Sequence, residues 1–281
     1  DKKEQAWALG NLGNMYRARG ELDKAEEMPR KVLEFAEALG SKKGMAVAYS
    51  NLGIVYRKRG ELNKAEEMHR KALALDQALG SREGMASNYG NLGSVYRIRG
   101  ELDKAEEMYR KALALDEALG IKEGMADNYG SLGSVYETRG ELDKAEEMHR
   151  KALKLNEALG SREGMAMDYS NLGLVYKTRG ELDKAEQMHR KAFALDQALG
   201  RKQGMAADYA NLGSVYKKRG DLEQAEELWK KSLHIAQAMG HRNAEMVQRW
   251  LDELAQDRAN QQTPPADNPR QPDQKKPDKN Q

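Results

Sequence analysis

The chain has 281 residues, of which 39% are apolar and 33% charged, and it contains no cysteine, so disulfides, thiolate nucleophiles and Cys-ligated metal centres are excluded. A formal net charge of +2 gives no general case for binding nucleic acid or an acidic membrane surface. No apolar run approaches the roughly 20 residues that a membrane span needs. We therefore expect a soluble, cytoplasmic protein that binds neither nucleic acid nor membrane.

The chain is built from a repeat with a fixed period of 40 residues. Segments related to Asn-Leu-Gly-Ser-Val-Tyr begin at Asn11, Asn51, Asn91, Ser131, Asn171 and Asn211. A period of roughly 20 to 50 residues is typical of solenoids, in which each repeat contacts its neighbours. This period divides the chain into six units, at residues 4–40, 41–80, 81–120, 121–160, 161–200 and 201–240.

Each unit carries two stripes of apolar residues at helical spacing. In the third unit the stripes cover residues 85–96 and 105–119, and Gly120 follows the second, where it can end a helix in the left-handed conformation. Gly93 lies inside the first stripe despite a cost of about 1 kcal/mol relative to alanine, which we attribute to close helix packing. One antiparallel helix pair cannot cover both stripes, so we predict an all-α solenoid of stacked pairs.

Two regions depart from the repeat. Pro29 falls inside the second helix of the first unit, where it removes a backbone hydrogen bond at a cost of about 3 kcal/mol, so we predict that this helix is kinked or frayed. After the sixth unit, apolar residues at helical spacing from Val247 to Leu254 predict a capping helix over residues 242–258. Residues 259–281 contain five of the six prolines and no large apolar residue, which predicts a disordered tail.

These columns resemble the tetratricopeptide repeat. The matching residues of the third unit are Tyr89, Leu92, Gly93 and Tyr96 in the first helix and Ala105, Tyr109 and Ala112 in the second. The unit departs from the family in its length of 40 rather than about 34 residues and in Glu117, which replaces the usual proline. This longer unit is similar to the repeats of Pins-type spindle-orientation adaptors and kinesin light chains. The resemblance implies a right-handed superhelix of six repeats plus the capping helix, with the first helices lining a concave groove.

The sequence offers no catalytic or metal-binding constellation. His69, His149 and His189 share one column of the second helix, and we interpret them as half-buried spacers between helices. Neighbouring units lie one helix-packing step of about 8 to 10 Å apart, too far for two of these imidazoles to share a metal ion. No phosphate-binding loop, zinc-protease motif, EF-hand or dinucleotide fingerprint occurs. We therefore predict that the protein is not an enzyme and holds neither cofactor nor metal.

A peptide groove is predicted from the columns that face the concave side in the family. One of them is nearly constant and comprises Asn11, Asn51, Asn91, Ser131, Asn171 and Asn211. An asparagine amide can donate to a carbonyl and accept from an N–H group of the same extended peptide, and the resemblance agrees, since such asparagines contact ligand peptides in related proteins. The alternative is that asparagine is merely polar and faces the groove. Ser94, Ser134 and Ser214 belong to an adjacent groove column.

The charged residues of the predicted groove indicate the charge of its partner. One column holds Arg17, Arg57, Arg97, Lys177 and Lys217, interrupted by Glu137. Over the six predicted groove columns seven residues are basic and two acidic, which predicts an acidic partner segment. Four groove columns vary among the units, whereas the Asp-Lys-Ala-Glu segment of the second helix hardly changes. This contrast favours a groove that has diversified for binding, unless the second helix simply tolerates less change.

The predicted function is a non-catalytic scaffold that binds an extended or short helical, acidic segment of a protein or peptide in its concave groove. The alternative is a regulatory or sensor repeat domain of a larger signalling protein or enzyme. The absence of an initial methionine and of an obvious cap at the first helix favours that alternative. RNA binding, which occurs in other helical-hairpin solenoids, is disfavoured by the near-neutral charge. The sequence predicts no particular oligomeric state.

Overall fold

The computed structural model describes residues 2–240 and 243–262, which form thirteen α-helices and no strand. The helices are α1 (Lys2–Arg19), α2 (Leu22–Ala38), α3 (Lys42–Arg59), α4 (Leu62–Leu79), α5 (Arg82–Ile98), α6 (Leu102–Leu119), α7 (Lys122–Thr138), α8 (Leu142–Leu159), α9 (Arg162–Arg179), α10 (Leu182–Ala198), α11 (Lys202–Arg219), α12 (Leu222–Ala238) and α13 (Asn243–Gln262). Most contain 17 or 18 residues, which corresponds to about 26 Å of helix.

Glycines and serines set the ends of these helices. Gly100, at the end of α5, and Gly120, at the end of α6, adopt φ angles of +78° and +70°, as the sequence predicted. Ser81 and Ser161 cap the starts of α5 and α9, because their hydroxyl oxygens accept hydrogen bonds from backbone N–H groups in the first turn. The resulting short connections fold each odd-numbered helix back along the next even-numbered one.

Apolar contacts join each helix pair to its neighbours. Around α5 to α8, a buried cluster combines Leu92 and Ala105 of one pair with Val135 and Tyr136 of the next. Each even-numbered helix packs both on its own partner and on the first helix of the following pair, so the core continues from pair to pair. The predicted all-α solenoid of stacked helix pairs is confirmed.

A polar clamp repeats on the outer face of each junction. Glu146 of α8 accepts hydrogen bonds from the Tyr176 hydroxyl and from Arg179, both at 2.6 Å and both from α9, and from Arg150 of its own helix at 2.9 Å. Burial alone would raise the pKa of Glu146, but these hydrogen bonds outweigh it and lower the pKa to about 2. The other clamp carboxylates are Glu26, Glu66, Glu106 and Glu186.

The clamp explains why the second helices change so little between units. In the segment Asp143-Lys144-Ala145-Glu146, the first carboxylate accepts from Arg179 at 2.8 Å, the alanine is fully buried and the glutamate forms the clamp. The constancy of this segment is therefore a requirement of stacking. Variation in the groove columns consequently gives no independent argument for binding.

The predicted interruption of α2 at Pro29 is wrong. The helix runs without a break from Leu22 to Ala38 with Pro29 inside it. The proline ring is buried, and its Cδ atom lies 3.8 Å from the point where a Cβ atom of Gly13 would stand. The ring occupies the position of the imidazole or phenol rings of other units but only partly fills their space, because it lines a small hollow with Gly13. The helix α2 packs against both α1 and α3.

The last helix confirms the predicted cap and extends it. Val247 and Leu254 are buried against α12, and the rings of Trp250 and Trp229 are 5.5 Å apart between centroids. Because α13 continues to Gln262, the prediction of disorder is wrong for residues 259–262. The rest of the predicted tail, residues 263–281, lies outside the described residues.

Candidate functional site

The odd-numbered helices line a cavity of about 840 Å³, formed mainly by α5, α7 and α9 with a contribution from α3. Half of the fourteen residues predicted as binding residues line it: Asn91, Ser131, Asn171, Arg57, Arg97, Ser94 and Ser134. The structure therefore brings together the central part of the asparagine column and two members of the basic column. A cavity of this size and position can receive several residues of an extended chain.

The remaining predicted residues lie toward the two ends. Arg17 and Asn51 line a smaller hollow between α1, α2 and α3. Neither hollow is lined by Asn11, Asn211, Lys177, Lys217 or Ser214. Asn211 is half-buried and donates a hydrogen bond to the Ser170 hydroxyl at 3.3 Å, so one of its donors is already used.

Three asparagine side chains are available to a ligand. In the part of the chain that the structure describes, the side-chain amides of Asn51, Asn91 and Asn171 have no hydrogen-bond partner. Asn88, one turn before Asn91, is the opposite case, because it donates to Asp76 at 2.9 Å and to the Gly84 carbonyl at 3.0 Å. A free amide offers two donors and one acceptor oxygen, which matches the alternating groups of a peptide backbone.

The serines of the groove are less free than the asparagines. The hydroxyls of Ser94 and Ser134 each donate to a backbone carbonyl of their own helix at 3.2 Å. Ser94 also accepts a hydrogen bond from the Tyr109 hydroxyl at 3.1 Å. Because a hydroxyl has a single hydrogen to donate, these serines can offer a ligand only an acceptor oxygen.

The cavity is less uniformly basic than the sequence predicted. Arg57 and Arg97 line it, but so do four carboxyl residues, Glu83, Asp116, Asp127 and Asp168. Of these four, Asp127 alone belonged to the predicted groove columns. Burial raises the pKa of Asp168 to about 7, and a small opposing effect comes from the Asn156 hydrogen bond. Basic and acidic residues occur on the same inner helix, since Glu83 lies in the first turn of α5 and Arg97 in its last turn.

Sequence reasoning missed a polar pair that is buried at four successive junctions. Asn128 donates to Asp116 at 2.8 Å, across the junction of α6 and α7. The pairs are Asp76–Asn88, Asp116–Asn128, Asn156–Asp168 and Asp196–Asp208. The sequence contained a signal for them, because the acid and the amide exchange positions together between the second and third of these pairs, and both positions are alanine at Ala36 and Ala48.

The histidine column is structural. His69, His149 and His189 are fully buried rather than half-buried as predicted, and burial lowers the pKa of His149 to about 4. Both ring nitrogens of His149 and of His189 lack a hydrogen-bond partner. These neutral rings face glycines of the preceding helix and do not line the cavity.

The described residues show neither a metal-binding cluster nor a membrane-spanning helix. Within residues 2–240 and 243–262 no group of three or more His, Asp or Glu side chains is arranged to hold a metal ion. Over the same residues, no helix combines the length and apolar character required to cross a membrane.

Comparison with protein families gives one match. The tetratricopeptide repeat model matches five overlapping windows, residues 4–78, 44–118, 84–158, 124–198 and 164–238. Together they span all six units. A comparison with curated proteins gives no match.

Solved structures share the fold. BtubC (BKLC) from P. vanneervenii is 25% identical with a TM-score of 0.61, and the match covers 100% of this chain and 99% of that protein. A Rap protein complexed with competence and sporulation factor is 14% identical with a TM-score of 0.68, covering 92% of this chain and 77% of that one. A STAND protein from Pyrococcus horikoshii with a tetratricopeptide repeat sensor is 22% identical with a TM-score of 0.67, covering 91% of this chain and 39% of that one.

Proposed function

The chain belongs to the tetratricopeptide repeat family, and from this premise we propose that it is a non-catalytic scaffold that binds an extended or short helical peptide segment in its groove. Repeats of this fold typically act as protein-interaction modules. The observation that carries the proposal is the set of free amides at Asn51, Asn91 and Asn171, two of which line the central cavity. Polar side chains without an internal partner, at equivalent positions of the second, third and fifth units, are suited to binding a peptide backbone.

The peptide is proposed to be acidic in at least part of its length. The basic column supports this, because Arg57 and Arg97 line the cavity and are not neutralised by any ion pair within the described residues. An acidic segment would gain charge-assisted hydrogen bonds from guanidinium groups, which are stronger than neutral ones. The alternative, a regulatory or sensor domain of a larger protein, uses the same groove and stays a prediction.

The asparagine column is tested with a labelled acidic peptide and the Asn91→Ala/Asn171→Ala double variant. Loss of two amides that bind the peptide backbone should weaken affinity by roughly tenfold or more, measured by fluorescence anisotropy. Equal affinities for the variant and the parent protein would reject the role of these amides.

The matched gain-of-function variant is Ser131→Asn. Ser131 is the one break in the asparagine column and lines the same cavity, so this substitution would complete the row of amides. The proposal predicts tighter binding of the same peptide. If asparagine were merely a polar groove residue, serine would serve equally well and affinity would not change.

A further inference from the structure

The basic column of the groove falls into two halves that differ in how their charges are neutralised. Arg17, Arg57 and Arg97 occupy equivalent positions in α1, α3 and α5. Among the residues that the structure describes, none of these three guanidinium groups has an ion-pair or hydrogen-bond partner, and the Nε atom of Arg57 is buried without one. Three cations in successive repeats thus lack an anion among the described residues.

Burial, with a smaller contribution from the neighbouring arginines, makes the charge of Arg57 unfavourable without a ligand. The pKa of Arg57 is lowered mainly by burial, and the charges of Arg97 and Arg17 lower it further while Tyr109 acts in the opposite direction. Other arginines of the same helices are neutralised. Arg59 and Arg99, two positions after Arg57 and Arg97, both form ion pairs with clamp glutamates. The arginines without a partner therefore belong to the groove face, whereas those on the clamp side are paired.

In the second half of the column, other groups of the protein partly offset the positive charges. Glu137 replaces arginine in α7, and burial lowers the pKa of Lys177 while the negative charge of Glu137 raises it. The Nζ atom of Lys217 lies 5.7 Å from the centroid of the Trp229 ring, a cation–π contact. These cations gain less from an anionic ligand than the free arginines do.

Carboxyl groups occupy the cavity next to this second half. Asp127 and Asp168 line it from α7 and α9, and neither belongs to an ion pair in the described part of the chain. Glu83 and Asp116 of repeat 3 also line the cavity, so the difference between the two halves lies in the column itself. Repeats 1 to 3 place an arginine there, whereas repeat 4 places Glu137 there. Along this column the groove thus favours anions in repeats 1 to 3 more than in repeats 4 and 5.

Repeat spacing fixes how a ligand would match the free arginines. Equivalent inner helices of successive repeats touch, as α3 and α5 do, so their axes are about 10 Å apart. A peptide in the extended polyproline II conformation advances by about 3.1 Å per residue and has three residues per turn, so one repeat corresponds to roughly three peptide residues and every third side chain points the same way.

We propose that the groove is specific for an extended peptide whose acidic side chains are confined to the segment over Arg17, Arg57 and Arg97 and are spaced three residues apart. This inference rests on the proposed function and adds the position and period of the acidic residues. The rest of the ligand, over repeats 4 to 6, is not acidic.

Two capped peptides of about nine residues in a Gly/Ser background test the period. One carries aspartate at positions 1, 4 and 7, and the other carries the same three aspartates in a row. The inference predicts that the spaced peptide binds several-fold more tightly, by anisotropy at low salt. Equal affinity of the two peptides would overturn the proposed spacing.

Two charge-matched double variants test the position. Arg57→Gln/Arg97→Gln and Lys177→Gln/Lys217→Gln each remove two positive charges from the same column, so long-range attraction changes equally. The arginine variant should lose roughly tenfold or more in affinity for the spaced peptide, and the lysine variant much less. Circular dichroism establishes that both variants keep the helical fold.

These experiments distinguish a failure of the proposed acidic pattern from a failure of the proposed scaffold function. Equal losses in both double variants, with binding still sensitive to the asparagine substitutions, would overturn the confinement to repeats 1 to 3 and leave the scaffold proposal standing. Failure of the parent protein to bind either peptide would overturn the acidic-ligand proposal itself. A third variant, Asp127→Asn, is expected to strengthen binding of a peptide that is acidic along its whole length.

Discussion

A Cβ atom added at Gly133 would stand 2.5 Å from Cε1 of His149. The same conflict recurs where Gly93 faces Tyr109, at 2.8 Å, and where Gly213 faces Trp229. In the second to sixth pairs, the ring in the second helix lies directly on the backbone of the first helix, at a distance that a Cβ atom would prevent. The prediction that mid-helix glycine serves close packing is therefore confirmed.

Two glycines of α7 give a matched test. Gly133→Ala should destabilise the fold by about 1 to 3 kcal/mol, because the buried His149 ring has to move. Gly130→Ala should stabilise it by up to about 1 kcal/mol, since alanine favours helix and the nearest atom, Asp168 Oδ1, is 3.9 Å away. Urea unfolding measures both. Equal effects of the two substitutions would show that contact with the ring is unimportant.

The buried histidines offer a second matched pair. Tyr109 donates to Ser94 at 3.1 Å, and the equivalent positions are His149 with Ser134 in one unit and His189 with Leu174 in the next. We predict that His149→Tyr gains that hydrogen bond, worth about 1 kcal/mol, whereas His189→Tyr finds no acceptor. The free energies of unfolding of the two variants should differ by about this amount. A larger gain at His189 would rule out this explanation.

At the scale of the helices, most of the fold could be predicted from the sequence. Gly100 and Gly120 mark the helix ends, and the 40-residue period implies stacking, because these features depend on local conformation and on a pattern repeated six times. Pro29 misled the prediction because packing from both sides holds α2 together, which a single-helix argument ignores.

The site was harder to predict for a related reason. The sequence identifies the Asn91 and Arg97 columns, but whether an amide is free depends on neighbours in other repeats. Asn88 and Asn91 are one turn apart, yet only Asn88 is hydrogen-bonded to a side chain of the preceding unit, Asp76. Which side chains of two columns meet across a junction is determined only by how the helices pack in three dimensions.

The junction between α10 and α11 is the weak one. There the buried pair is Asp196 with Asp208, and burial, followed by the charge of Asp196, raises the pKa of Asp208 to about 8. Arg201 contacts Asp196 at 3.0 Å and partly offsets the negative charge. Since the folded pKa exceeds the ordinary value of 3.8, stability is greatest below that value and is lost as pH rises toward 8.

Asp208→Asn should therefore stabilise the protein, increasingly so between about pH 4 and 8. It recreates the acid–amide pair that Asp116 and Asn128 form at 2.8 Å. The reciprocal variant Asn128→Asp should acquire the loss of stability at high pH. Urea midpoints at several pH values measure both effects, and parallel pH profiles for all three proteins would refute the assignment.

For the whole molecule, two opposing sets of buried groups set the pH dependence. Burial lowers the pKa of His69 and His149 to about 4 and of His189 to about 3, so their contribution to stability is lost as pH falls from roughly 6.5. Asp168 and Asp208, with pKa values raised by burial to about 7 and 8, remove stability as pH rises. We predict a maximum in the free energy of unfolding near pH 6 to 7. A monotonic increase up to pH 9 would contradict this balance.

A peptide that lies along the inner helices should contact the free amides of the asparagine column. This contact can be followed by ¹⁵N NMR of the side-chain NH₂ groups of Asn91 and Asn171 during titration with the spaced acidic peptide. We expect these signals to shift while the already bonded amide of Asn88 moves little. Shifts confined to the outer helices, with the signals of Asn91 and Asn171 unchanged at saturation, would contradict it.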